Sequence, residues 1–177
     1  MNKWVLDREE SFDVVVAADV LEHIHNLPLA IQEIGKMLKS SSEQHESGLF
    51  LFDTINRTPL SRLLAIFFAQ EVGLVRGMFD HCHNWFLFIT PLELSSLLSS
   101  HGSIDSNMVE YKGLVPNFSF TSITSYLSSI LKHGYFSPQI QISPPSNSSS
   151  SFMNLHLQTQ IGYIGHGIKK SPKLKEM

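Results

Sequence analysis

Asp19, Glu22 and His23 are the residues whose types and spacing suit chemistry. At i, i+3 and i+4 they share one face if the turn that carries them is helical. Two carboxylates and an imidazole make an O/N set for Mg²⁺, Mn²⁺ or Zn²⁺, with positions left open for a substrate oxygen. A metal there would lower the pKa of a bound phenol or catechol hydroxyl, as it does for water, and make it a nucleophile at neutral pH. The same spacing also describes a helix start decorated with acids, where the carboxylates favour the positive end of the dipole and His23 only packs or caps. Spacing alone leaves both readings open.

What must hold these side chains is a strand followed by a turn. Residues 12–18 form a nearly continuous, β-branched apolar run, the pattern of a strand buried on both faces of a parallel sheet. It ends at Asp19. After Asn26, a good N-cap, Leu27, Ala30, Ile31, Ile34, Met37 and Leu38 fall at helical spacing and predict a helix over 27–39. A polar loop over 40–47 leads to Gly48 and a second apolar run, 49–52, which stops at Asp53. Strand, helix, strand is the βαβ pattern. In open α/β sheets ligands bind outside the carboxyl ends of the strands, and Asp19 and Asp53 both stand at such ends.

Further along, 59–75 predicts a third helix. Thr90, Pro91 and Glu93 form a capping box with Pro at the first helical position, followed by Leu94, Leu97 and Leu98 and closed by Gly102. Residues 109–115 read as a strand and 121–131 as a Ser-rich helix. Residues 137–151 are Pro/Ser/Asn-rich and read as a loop or disordered insert. Period-2 alternation over 155–168 predicts a last strand, and the tail 169–177 is expected to fray. The order predicts a three-layer α/β domain over 1–168 whose last two strands pair antiparallel.

Composition narrows the partners. The chain has 177 residues, 42% hydrophobic and 16% charged, enough for one soluble domain with a real core. A net charge of −3 without a dense Lys/Arg stripe removes the electrostatic case for nucleic acid, which points to a small molecule or a protein as partner. The single cysteine, Cys82, makes no internal disulfide and no cysteine-based zinc site. The first ten residues lack an apolar core and carry three acids, Asp7, Glu9 and Glu10, which argues against a signal or transit peptide. The most apolar stretch, 63–69 within a run to 75, falls short of the ~20 residues that a helix needs to span a bilayer.

Taken in order, four strings narrow the reading. They are residues 12–24, ending in Leu21-Glu22-His23-Ile24; residues 49–57; the pair His83-Asn84-Trp85 and 88–94; and the closing 161–168. Together they resemble the class I S-adenosylmethionine (SAM) dependent methyltransferases, and within these the UbiG-type O-methyltransferases of ubiquinone biosynthesis. The resemblance implies a Rossmann-like sheet from its fourth strand onward. It implies SAM and a divalent metal, Mg²⁺ first, as cofactors, with Asp19, Glu22 and His23 as metal ligands, Ala18 against SAM and His83 as a catalytic residue. Asp19 stands where the family usually has Glu, and Asn84 where it has Asp. The Gly-rich turn and the ribose-binding acid that open such a fold are not in this sequence. The chain is therefore expected to be a fragment, an incomplete gene model or a degenerate copy, with residues 14–18 as a long apolar sheet edge.

The implied reaction is methylation of a phenolic or catechol quinone precursor. Methylation of another small molecule, and a non-catalytic remnant that only packs against a partner, are the alternatives. Residues 60–75, apolar beyond one buried stripe and flanked by Arg57, Arg62 and Arg76, suit either a peripheral membrane contact or a lid over the substrate. Family analogy implies a location on the mitochondrial inner membrane, matrix side, or on a cytoplasmic membrane face.

Overall fold

The computed structural model describes residues 3–42, 46–71, 83–116, 120–133, 140–142 and 161–171. Cys82, the end of the third predicted helix (72–75), residues 155–160 of the last predicted strand, most of the 137–151 insert and the tail from 172 lie outside the described residues.

Among the described residues five strands form a single mixed sheet: β1 (Val14–Ala17), β2 (Leu49–Ile55), β3 (Glu110–Pro116), β4 (Ile140–Ile142) and β5 (Gly162–Ile168). Their spatial order is β1-β2-β5-β3-β4, with β1 and β2 parallel and every other pair antiparallel. A short helix, α1 (Lys3–Leu6), precedes β1. The crossover between the parallel strands is α2 (Leu27–Met37), capped by the Asn26 side chain, which accepts from the Leu29 N–H. A turn of helix, α3 (Pro59–Ser61), winds on in the wider π form through Arg62–Glu71. Helix α4 (Pro91–Ser100) starts at the predicted capping box, where Thr90 accepts from the Glu93 N–H and Glu93 accepts from the Thr90 N–H. Helix α5 (Phe120–His133) takes the place of the Ser-rich segment.

One face of the sheet carries the core. Ala17, Phe50, Phe52 and Tyr163 point to it and meet Leu27 and Ile31 of α2 and Leu94 and Leu98 of α4. Gly165 stands in register between Phe52 and Tyr111. An added Cβ there would approach the Phe52 ring at 2.7 Å, so this glycine lets the aromatic layer lie flat on β5.

Several expectations need correction. β1 is the edge of the described sheet, as the resemblance implies for residues 14–18, but it is not buried on both faces as its apolar run alone predicts: Val14 and Val16 are 45% and 62% exposed. β2 runs beyond Asp53 to Ile55 because β5 pairs with it as far as Gly162 opposite Ile55. The insert contributes β4, whose Ile140 and Ile142 alternate and pair with β3. At the start of the predicted tail, Lys169 is buried, donating from Nζ to the Leu38 carbonyl at 2.6 Å and to Glu10 at 3.2 Å.

Helices α2 and α4 meet where Gly35 lies against Gly102, and a Cβ on Gly35 would collide with the Gly102 backbone carbonyl. Backbone cannot yield as a side chain tip can. Gly35→Ala is expected to cost about 3 kcal/mol in overpacking, offset by about 1 kcal/mol of better helix propensity. A urea titration read by circular dichroism checks it, and an unchanged midpoint would show that the helices part without cost.

Candidate metal and active site

β1 delivers the site. Its last residue, Ala17, is buried in the core, Ala18 and Asp19 form a bend, and a 3-10 turn over Leu21–His23 follows. Asp19 has φ 53°, a left-handed conformation in which Asp is among the few tolerated side chains. Its N–H donates to Asp53 Oδ1 of β2 at 2.6 Å. Asp19 thus stands outside the helical turn, and the shared face inferred from i, i+3, i+4 spacing is produced by a kinked backbone followed by a tight turn. Leu21 is fully buried and acts as the turn's anchor in the core.

Glu22 is 1% exposed and accepts a hydrogen bond from Thr54 Oγ1 at 3.0 Å. Burial pushes its carboxyl up to about 7, against hydrogen bonds from its own backbone and from Thr54, and the neighbouring Asp19 carboxyl pushes the same way. Thr54 was not singled out in the sequence. The signal for it was present: Phe50, Phe52 and Thr54 occupy successive inward positions of β2, and a polar residue on an inward face requires a partner.

His83, later in the chain than α3, reaches the same place. His83 and His23 lie with ring centroids 5.0 Å apart, and the edge of His83 meets the buried ring of Phe88, centroid to centroid 6.1 Å. The two residues after it anchor the segment. Asn84 caps a 3-10 turn by accepting from the Phe86 N–H at 3.1 Å, and Trp85 Nε1 donates to the Thr58 carbonyl at 3.2 Å. Asn and Asp cap equally well, so Asn84 keeps the turn intact. Burial, and then the charge of His23, lower the pKa of His83, while Asp19 opposes them.

One donor atom from each of Asp19, Glu22, His23 and His83 lies within 4.8 Å of each of the others. Two donors on opposite sides of one ion bound at about 2.1 Å stand about 4.2 Å apart. The cluster is compact enough for its side chains to close on one divalent ion by rotamer adjustment. Ala18 is small and exposed at the carboxyl end of β1, which leaves a ligand room to approach the strand end. Beside the cluster, reached through Ile24 and Phe88, is an open groove of about 420 Å³ whose wall includes Leu27, Phe86 and the Arg57–Glu93 ion pair.

The metal-free chain should show the cost of Glu22. Its folded pKa lies above the ordinary 4.5, so its contribution to stability is full below pH 4.5 and is lost as pH rises through about 7. The loss is on the order of 3 kcal/mol. In a chelator, Glu22→Gln is therefore expected to melt above the parent at pH 8 and beside it at pH 4. Parallel melting curves across that range would rule out a buried, titrating carboxyl.

The family model for the methyltransferase domain matches residues 6–43, the stretch that contains β1, the 3-10 turn and α2. That stretch is a minority of the chain, and the relatives below extend the likeness beyond it. The chain is 36% identical over 104 residues to the mitochondrial ubiquinone biosynthesis O-methyltransferase of Rattus norvegicus, covering 58% of this chain and 27% of that protein. Against the ubiquinone biosynthesis O-methyltransferase of Ruegeria sp. it is 39% identical over 108 residues, covering 61% and 39%. The matches thus span between about a quarter and two fifths of these relatives. A solved SAM-dependent methyltransferase of Thermotoga maritima, described as a possible histamine N-methyltransferase, superposes with a TM-score of 0.49 at 15% identity, covering 92% of this chain and 58% of that one.

Proposed function

We propose that this chain is part of a SAM-dependent O-methyltransferase whose acceptor is a phenolic or catechol oxygen of a quinone precursor. The observation that carries it is the cluster of Asp19, Glu22, His23 and His83 at the carboxyl end of a parallel strand, the first three of them inside the stretch that matches the methyltransferase-domain model. We take residues 1–168 as one domain unit corresponding to such a sheet from its fourth strand onward. In this reading Ala18 lines the cofactor side, and Asp19, Glu22 and His23 hold a divalent metal.

SAM, when bound, would supply an electrophilic methyl to the acceptor oxygen, the S–C bond electron pair staying on sulfur and the acceptor's proton passing to solvent. A divalent ion held by Asp19, Glu22 and His23 would supply Lewis acidity favouring the ionised acceptor hydroxyl. The protein's part is placement. Asp53 fixes the Asp19 backbone, Thr54 orients Glu22, and the open groove beside Phe86 and Phe88 offers apolar surface to one face of an aromatic ring. Burial and the neighbouring His23 lower the pKa of His83, which favours the neutral imidazole that a proton acceptor or a metal ligand requires. Leu60, Leu63 and Phe67 are exposed along one helix and support a further contact with a membrane surface. No helix among the described residues is long and apolar enough to cross a membrane.

The test is SAM binding by isothermal calorimetry, followed by methyl transfer to a simple catechol. It is run on the chain alone and on the chain joined behind the preceding segment of the rat relative. Binding with transfer in either form supports the reading, and binding with transfer only to non-phenolic acceptors moves the substrate class. Silence in both forms leaves a non-catalytic packing module.

A further inference from the structure

Resting on the metal reading above, we infer that His83 is a fourth metal ligand, and that the site therefore selects a first-row transition ion such as Zn²⁺, Mn²⁺ or Co²⁺ over Mg²⁺. The geometry points to it in three ways. First, His83 offers a ring nitrogen within the same 4.8 Å as the three clustered side chains of the β1 turn. Second, its ring lies beside that of His23, centroids 5.0 Å apart and tilted by 34°, so two imidazoles stand side by side at the site. Third, the segment that carries it is pinned by the Asn84 cap, the Trp85 bond to Thr58 and the burial of Phe88, which holds the imidazole in place before any ion arrives.

The metal preference follows from the donor set. Three residues alone, two acids and one imidazole, leave Mg²⁺ acceptable, because it takes one or two carboxylates and keeps several waters. Adding a second imidazole makes the set two nitrogens and two oxygens. Mg²⁺ is a hard ion that gains little from imidazole, whereas Zn²⁺ and its first-row neighbours gain at each nitrogen. The affinity order that follows is Zn²⁺ above Co²⁺ above Mn²⁺, with Mg²⁺ last. His83, so used, has no lone pair left for a proton from the acceptor. It is a ligand and not the general base.

The test titrates the purified full chain with ZnCl₂, CoCl₂, MnCl₂ and MgCl₂ by calorimetry. Zn²⁺ is expected to bind at least 100-fold more tightly than Mg²⁺, and His83→Ala to weaken Zn²⁺ at least 10-fold while leaving Mg²⁺ binding within twofold. Equal affinities for Zn²⁺ and Mg²⁺ in the parent, or an unchanged Zn²⁺ affinity in the variant, overturns the inference. Should His83→Ala fail to fold, the Cu²⁺ form of the parent is read by electron paramagnetic resonance. Hyperfine structure from two imidazole nitrogens is expected, and from one overturns the assignment. None of these readings involves SAM, so failed methyl transfer with intact two-nitrogen binding would count against the proposed function alone.

Discussion

Asp19→Asn is expected to weaken divalent-metal binding to the full chain by more than about 100-fold. Loss of an outer partner of a metal ligand already costs roughly 10–100-fold, and Asp19 is itself a ligand in this reading. Asn is the informative replacement because it also tolerates φ 53° and keeps the N–H bond to Asp53. The change removes a charge and leaves the backbone where it was. Methyl transfer, in whichever form of the chain shows it, should fall at least as far, since the acceptor hydroxyl then loses the ion that favours its ionised state. Mn²⁺ calorimetry with a thermal melt on the same sample reads both the affinity and the fold. A variant that melts like the parent and still binds Mn²⁺ within a few-fold would remove Asp19 from the site.

For stability, the largest effect is expected from Tyr163→Ala, at about 3–5 kcal/mol by analogy with other buried aromatic truncations. Tyr163 is fully buried in the middle of the core, its ring edge-on to Tyr111 at 5.5 Å, and its hydroxyl donates to the Ile89 carbonyl at 3.0 Å. That bond ties β5 to the segment leading into α4, so truncation opens a cavity and leaves the carbonyl without its donor. Tyr163→Phe keeps the ring and loses only the bond, and should cost about 1–2 kcal/mol. Urea unfolding of both variants separates the two terms. Equal losses would mean that the ring contributes nothing beyond its hydroxyl.

How much of this was legible depended on how local each cause was. The N-cap at Asn26 and the box from Thr90 to Glu93 involve groups three residues apart, and both are in the structure as the sequence predicts. The late antiparallel pairing was expected from two strands, 109–115 and 155–168, with only a helix and a loop between them, and β3 and β5 do pair antiparallel. Strand ends were less legible. β2 extends past Asp53 because of what β5 offers on its flank, and nothing in residues 49–55 encodes that partner. The isoleucines of β4 were masked by the Pro and Ser around them, although their own alternation is a strand signal.

The site divides in the same way. The sequence by itself determined which residue types arrive together at the end of β1, since Asp19, Glu22 and His23 are neighbours along the chain. Only the tertiary structure decided that Asp19 sits in a left-handed kink rather than in a helical turn, that Glu22 is buried against Thr54, and that His83, sixty residues on, closes the cluster. The physical reason is range. Capping and periodicity act within one or two turns of chain, while burial, and with it the pKa of Glu22 and the company of His83, is set by strands and segments that pack from elsewhere.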